Sequence, residues 1–345
     1  MISPDALNAW RRTHPWADDD QVEQDLVMTR IAIEIASHPD LRDRLTWRGG
    51  TCLHKLFLPT ALRYSEDLDY VAYDLSIVDN DMRTIRAAIR DIAERVGLGI
   101  AANPTTTRSR LTERFTYRSI GGATRRIKVE INLDDVPAAT SLDRRNLAAA
   151  TDWWSGATDV LTFQPAELIA TKFRALAQRS KGRDLNDLDV AHRTLGIDDE
   201  QLGQIAAHYL HHAGIHPNQF RARLAAHLAD PDFVADVAVY LTDPATAGNP
   251  DVLVYRWISW TDRHLDLPYT RLVDDHAPSK RKARAISDIE ARLASGNDRC
   301  PIHLLDAGSW RRCPHHLSNQ RCPDHGAIAN PERSTADRQI RDERG

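Results

Sequence analysis

The sequence predicts an α+β protein: a mixed, mostly antiparallel sheet in the first part of the chain, followed by an all-helical domain. Three observations predict it. Short β-forming runs alternate with amphipathic stretches through the first 160 residues, two alternating runs flank a Gly-Gly pair, and nearly every segment from Pro165 onward has helical period. The expected boundaries are 1–160 for the sheet-bearing core, 161–295 for the helical domain and 296–345 for a polar tail.

Taken in order, Gln21 to Ser37 spaces Val22, Leu26, Ile31, Ile33 and Ile35 as a mostly buried helix. Leu45 to Arg48 is a short strand broken by Gly49-Gly50, and Thr51 to Leu58 has helical spacing until Pro59. Leu68 to Tyr73 reads as the next strand, followed by a helix from Asp79 to Val96. Leu111 to Ser119 and Arg126 to Leu133 read as paired strands around the turn signal Gly121-Gly122. Helices follow over Glu167 to Ala177, Leu185 to Arg193, Gln201 to His211 and Phe220 to Leu228. The tail after Ser295 lacks periodicity, and Asn330 to Gly345 is expected to be disordered.

Composition narrows the class. With 345 residues, 42% hydrophobic and 27% charged, the chain can bury a sizeable core in two domains. No run approaches the roughly 18 apolar residues of a membrane span, and the N-terminus lacks the blocks of a signal peptide, so a cytoplasmic location is expected. Four cysteines, with Cys52 alone and Cys300, Cys313 and Cys322 at one end, do not make a disulfide framework. A net charge of −4 advertises no polyanion partner, so any such site must come from local clustering. Arginine far outnumbers lysine, and four of the six lysines (Lys55, Lys128, Lys172 and Lys181, but not Lys280 or Lys282) fall in the segments that carry chemistry.

A strand, Gly49-Gly50 and a helix start would place backbone N–H groups, with the Thr51 hydroxyl, where they can cradle phosphate. Asp67 and Asp69 are two apart in a strand, so both carboxylates face one way and can hold the same hard cation. Glu130, in Lys128-Val129-Glu130-Ile131, is the expected third carboxylate of a two-magnesium site, with Asp134 and Asp135 as fallbacks and an ion pair to Arg125 or Arg126 as its ordinary alternative. Lys172, Arg179 and Arg183 could converge on the β- and γ-phosphates of an NTP across a domain cleft, and a break at Ser180-Lys181-Gly182 would fold the next helix back so that Asp187 meets Lys172. Lys55 reads as a phosphate contact or a helix surface charge, Arg63 as a phosphate ligand or a solvated arginine, and Asp184 as a partner of Arg183 or its neighbours.

Arg108, Arg110, Arg114, Arg118, Arg125 and Arg126, with Phe115 and Tyr117 interleaved, make a hairpin patch that either grips an RNA backbone and stacks a base or is simply solvated. His208, His211, His212 and His216 lack the carboxylates of a metal site. In the tail Cys-Pro-x-His occurs three times, from Cys300, Cys313 and Cys322, and offers zinc ligands without any Cys-x-x-Cys spacing.

Gly49-Gly50-Thr51 with Leu53 and Lys55, Arg63, Ser65-Glu66-Asp67-Leu68-Asp69, Lys128 to Ile131, Lys172 to Leu176, Arg183-Asp184 and Asp187-Leu188 occur in order. In this the chain resembles the AbiEii/AbiGii toxin family of nucleotidyltransferases, the toxin halves of abortive-infection and MenT-type toxin–antitoxin pairs, over roughly residues 20 to 240. The resemblance implies a polymerase β-like nucleotidyltransferase core and a helical C-terminal domain, with Asp67 and Asp69 as metal ligands, Lys172 as the motif lysine and Asp187 as the last acidic motif residue. It further implies transfer from an NTP to the 3′ end of tRNA, an arrest of translation, a cognate antitoxin, and a match between Ser65 and a position that antitoxins phosphorylate in some relatives. The interval between the Gly pair and the Asp pair is longer than in general polymerase β-type motifs, and the tail beyond Ser295 matches nothing in the family.

Overall fold

The computed structural model describes residues 2–59, 62–72, 79–101, 105–107, 109–133, 135–265, 303–306 and 309–312. The chain divides into two compact units, the first holding Met1–Leu168 with Tyr240–Ala245, the second Ile169–Val239 with Thr246–Gly345.

In the first unit the order is α1 (Pro4–Arg11), α2 (Asp19–Ser37), β1 (Thr46–Arg48), α3 (Gly49–Leu56), β2 (Asp67–Val71), α4 (Asp79–Val96), β3 (Gly99–Ile100), β4 (Thr105–Thr106), β5 (Arg110–Arg118), β6 (Thr124–Asn132), β7 (Asp143–Ala150) and β8 (Ser155–Thr162). Caps explain the first helix starts. Ser3 and Asp18 accept from the N–H groups of Ala6 and Gln21, and Pro4 opens α1.

Among the described residues the strands form one sheet in the order β3-β5-β6-β2-β1-β8-β7, with β4 alongside β5. β2 runs parallel to β6 and β1 parallel to β8, whereas the remaining pairs are antiparallel. Alternation puts Leu68 and Tyr70 of β2, Ile127, Val129 and Ile131 of β6 and Leu111 and Phe115 of β5 on one buried face, which α2 and α4 cover. Glu113 sits on that face too and is neutralised there by Arg86 and Arg90 of α4, at 2.7 and 3.1 Å.

Two features depart from the sequence reading. Gly49-Gly50 does not separate strand from helix; it is the first turn of α3, which follows β1 without a loop because Gly49 adopts φ +85°. The β7–β8 hairpin carries little sequence signal, since β7 (Asp-Arg-Arg-Asn-Leu-Ala-Ala-Ala) has no β-branched residue and is held as a strand by its pairing with β8, with Asp143 opposite Thr162. Near the chain's return to this unit, Tyr64 donates its N–H to the Tyr240 carbonyl at 2.9 Å and Thr242 donates to that of Leu62 at 3.0 Å.

The second unit continues from α5 (Pro165–Gln178) through α6 (Gly182–Leu195), α7 (Asp199–His212), α8 (Pro217–His227), α9 (Pro231–Asp236) and α10 (Pro250–His264), with a separate hairpin of β9 (His303–Asp306) and β10 (Ser309–Arg312). Phe173, Phe220, Trp257 and Trp260 form its aromatic centre, with ring centroids 5.1–5.6 Å apart from Phe173. Gly182 lets α6 start against α9: a Cβ there would stand 2.1 Å from the Phe233 carbonyl oxygen. The Cys-Pro-x-His cysteines, Asp134 and Arg108 lie outside the described residues.

Candidate active site

β2 presents Asp67 and Asp69 on the face opposite the core, while Leu68 between them is fully buried. The parallel register with β6 sets Lys128 beside Asp67 and Glu130 beside Asp69, and the antiparallel register with β1 sets Arg48 on the other side of Asp69. Three carboxylates and two cations thus occupy neighbouring positions of three strands. Burial, and next the Asp67 carboxylate, push the Asp69 carboxyl up from its ordinary range; Arg48 and Lys128 pull it back, and Glu130 adds to the rise. Glu130 does not pair with Arg125 or Arg126 but has Arg110 at 3.5 Å and Lys128 at 3.6 Å, whereas Arg125 reaches Asp20.

Gly49 makes the approach of α3 to β2 possible. A Cβ on it would stand 2.7 Å from Asp69 Oδ2, so only glycine allows both the positive φ and this contact. Arg48, extended at the N-cap, gives α3 no side-chain cap; its guanidinium pairs with Asp135. That pairing uses the fallback carboxylate for structure, since Asp135 is almost fully buried and also accepts from the Val136 N–H.

Beside α3 lies a cavity of about 250 Å³ whose walls include Thr51, Lys55, Arg63 and Ser65. Those four predicted residues, spread over one stretch from Thr51 to Ser65, are therefore brought to one wall. Thr51 Oγ1 lies 2.8 Å from Ser65 Oγ and donates to the Asp67 carbonyl, which ties the cavity wall to the carboxylate strand. Neither cation is a surface charge. Arg63 is 3% exposed and donates to the Tyr64 carbonyl at 2.9 Å; Lys55 is buried against Asp25 at 2.8 Å, and the Trp10 indole donates to the same carboxylate. His14 and Trp16, which sequence reasoning passed over, line the same cavity. Burial, with a smaller push from Lys55 against the pull of Asp25, lowers the His14 pKa to about 4, so the imidazole is neutral near pH 7. Their only sequence signal was the aromatic spacing Trp10, His14, Trp16, whose first two rings stack at 4.0 Å.

Within the second unit, Lys172 reaches Asp187 Oδ2 at 2.9 Å, as the break before α6 predicted, and Asp184 Oδ1 also at 2.9 Å. Asp184 pairs with Lys172 and Arg179, not with Arg183. Burial raises the Asp184 carboxyl, but Lys172 and Arg179 outweigh it and hold the pKa at about 2. Arg183 is drawn instead to Asp236, through its guanidinium at 3.3 Å and its backbone N–H at 3.1 Å.

The hairpin patch resolves by strand parity. Arg110, Arg114 and Arg118 of β5 and Arg126 and Lys128 of β6 share the carboxylate face, whereas Arg125 points the other way. Phe115 is wholly buried, and Tyr117, half-buried with its hydroxyl inside, stands opposite Arg125 on the other face, so neither ring lies beside the carboxylates. Among the described residues no three His, Cys, Asp or Glu side chains are already gathered around a metal position, His208, His211 and His212 included.

Residues 31–252, well over half of the chain, match the family described as "Nucleotidyl transferase AbiEii toxin, Type IV TA system". The chain belongs to the AbiEii family of nucleotidyl transferase toxins. The matched span of this AbiEii-family chain contains the whole of the carboxylate face, the α3 turn and the Lys172 cluster. Among solved structures it is similar to MenT4, a nucleotidyltransferase toxin from Mycobacterium tuberculosis H37Rv, at 17% identity over 86% of this chain and 99% of that one, with a TM-score of 0.49. No curated protein matches it. Among the described residues no helix is long and apolar enough to cross a membrane.

Proposed function

We propose that this AbiEii-family protein transfers a nucleoside monophosphate from an NTP to the 3′ end of tRNA, stopping translation in the cytoplasm, and that a cognate antitoxin restrains it. The observation that carries the chemistry is the meeting of Asp67, Asp69 and Glu130 on one sheet face with the uncapped start of α3, packed against Asp69 through Gly49. Carboxylate oxygens are the donors that magnesium prefers, and Asp67 and Asp69, with Glu130 in the adjacent register, are the residues that would hold it. When bound there, magnesium ions supply charge neutralisation for the triphosphate and activation of the acceptor hydroxyl.

The chain's own groups provide the rest. The first N–H groups of α3 and the Thr51 hydroxyl offer donors to phosphate oxygens, and Arg63, Lys55 and Ser65 extend that donor set along the cavity. The neutral His14 and Trp16 add uncharged aromatic wall. An RNA acceptor is favoured over a small molecule because the carboxylate face continues along β5 and β6 as Arg110, Arg114, Arg118 and Arg126, which suits a phosphate backbone. A phosphoryl group on Ser65 would fill the cavity with negative charge and oppose an incoming NTP.

The test is transfer of label from each α-labelled NTP to total tRNA, with magnesium, by the wild type and by Asp69→Asn. Label on tRNA that vanishes in the variant is the expected result; label on protein alone, or on nothing with any NTP, overturns the reading.

A further inference from the structure

Lys128 stands among the carboxylates. It shares their face of the sheet, its Nζ lies 2.9 Å from Asp67 Oδ2 and 3.6 Å from Glu130 Oε2, and Arg110 approaches the other Glu130 oxygen at 3.5 Å. The ammonium thus bridges Asp67 and Glu130, in the space that an ion shared by those two residues would need. A magnesium ion requires its oxygens at about 2.0–2.1 Å, closer than any oxygen now stands to Nζ, and it cannot share that space with a like charge.

We infer that Lys128 is a resident counter-ion of Asp67 and Glu130, which a divalent ion displaces on binding, so that the lysine weakens metal affinity and stabilises the site without metal. This rests on the proposed metal-binding role of the carboxylates. Electrostatics demands such a group: Asp67, Asp69 and Glu130 lie at adjacent positions, and the nearby Arg48 is committed to Asp135. Residue type fits the same role. In a chain where arginine predominates, a lysine brings a compact charge on a flexible stem that can swing away, whereas a guanidinium would lock two carboxylate oxygens at once. Lys128 is also 31% exposed, so solvent lies within reach of the displaced ammonium.

The experiment measures Mn²⁺ binding by electron paramagnetic resonance and calorimetry, with no nucleotide present, for wild type, Lys128→Met, Lys128→Gln and Lys128→Arg, together with thermal midpoints in EDTA and in saturating Mn²⁺. Both neutral variants are expected to bind Mn²⁺ between about three- and tenfold more tightly. Their midpoints in EDTA fall, their gain on adding metal exceeds that of wild type, and the arginine variant binds no more tightly than wild type. Unchanged or weaker Mn²⁺ affinity in a neutral variant with native circular dichroism overturns the inference while leaving the metal reading intact. Absence of Mn²⁺ binding in every protein, wild type included, overturns the metal reading and this inference with it.

Discussion

Lys172→Met is expected to cost the helical unit about 3–5 kcal/mol, because it removes one member of a buried ion cluster and leaves the others in place. Lys172, Asp184 and Asp187 are 4%, 2% and 0% exposed, and the ammonium makes both 2.9 Å contacts at once. Without it Asp184 keeps the Arg179 guanidinium, which is itself largely in solvent and screened. Asp187 loses the ammonium that holds its Oδ2. Urea and thermal denaturation, followed by far-UV circular dichroism and tryptophan fluorescence, would register the loss as a midpoint lower by about 10 °C. Adding Asp187→Asn to Lys172→Met removes the carboxylate that faced the ammonium and should recover about 1–3 kcal/mol. If Lys172→Met lies within about 0.5 kcal/mol of wild type, the cluster is not the structural element argued for. The result also decides how an inactive Lys172 variant is read: lost transfer counts as chemistry only at temperatures where the variant remains folded.

Three further expectations follow from the geometry. Gly49→Ala places a Cβ 2.7 Å from Asp69 Oδ2 at a φ of +85°, so it should destabilise by about 1–3 kcal/mol and weaken Mn²⁺ binding by displacing Asp69, both readable by melting and calorimetry. Asp69→Asn should leave the metal-free protein as stable as wild type or more so at pH 7. The Asp69 carboxyl is raised in the folded state, so its favourable protonated form is lost as pH rises through that value; a clear fall in the melting point in EDTA would contradict this. Asp184 runs the other way: held at about 2, it contributes stability above its ordinary carboxylate value, and that contribution, of about 2 kcal/mol, disappears as pH falls from about 4 towards 2, a drop that Lys172→Met should blunt in acid titrations.

Much of the fold was legible because it rests on local periodicity. The helices from α2 to α8 and the strands β1, β2, β5 and β6 follow from spacing that any neighbourhood would enforce. Elements whose identity depends on a partner were not legible. β7 is polar and alanine-rich and becomes a strand through β8, and α10 was passed over although Asn249 caps it and Pro250 opens it. In the candidate site, the side of β2 that carries Asp67 and Asp69 was readable from a two-residue spacing. The assignments of charge partners were less so: Glu130 to Arg110, Lys55 to Asp25, Asp135 to Arg48 and Arg183 to Asp236 all join residues from different elements or across a strand register, whereas the Lys128–Glu130 contact lies within one strand.

By itself, then, the sequence determined which donors exist and which way they point: two carboxylates on one face, a glycine pair at a helix start, a lysine followed by a break and an aspartate. Only the tertiary structure decided which charges neutralise one another. Backbone period is set within a few residues, but ion pairing depends on strand order, register and burial. The parallel pairing of β2 with β6 joins residues some sixty positions apart, Asp67 to Lys128 and Asp69 to Glu130, and no local rule encodes that register.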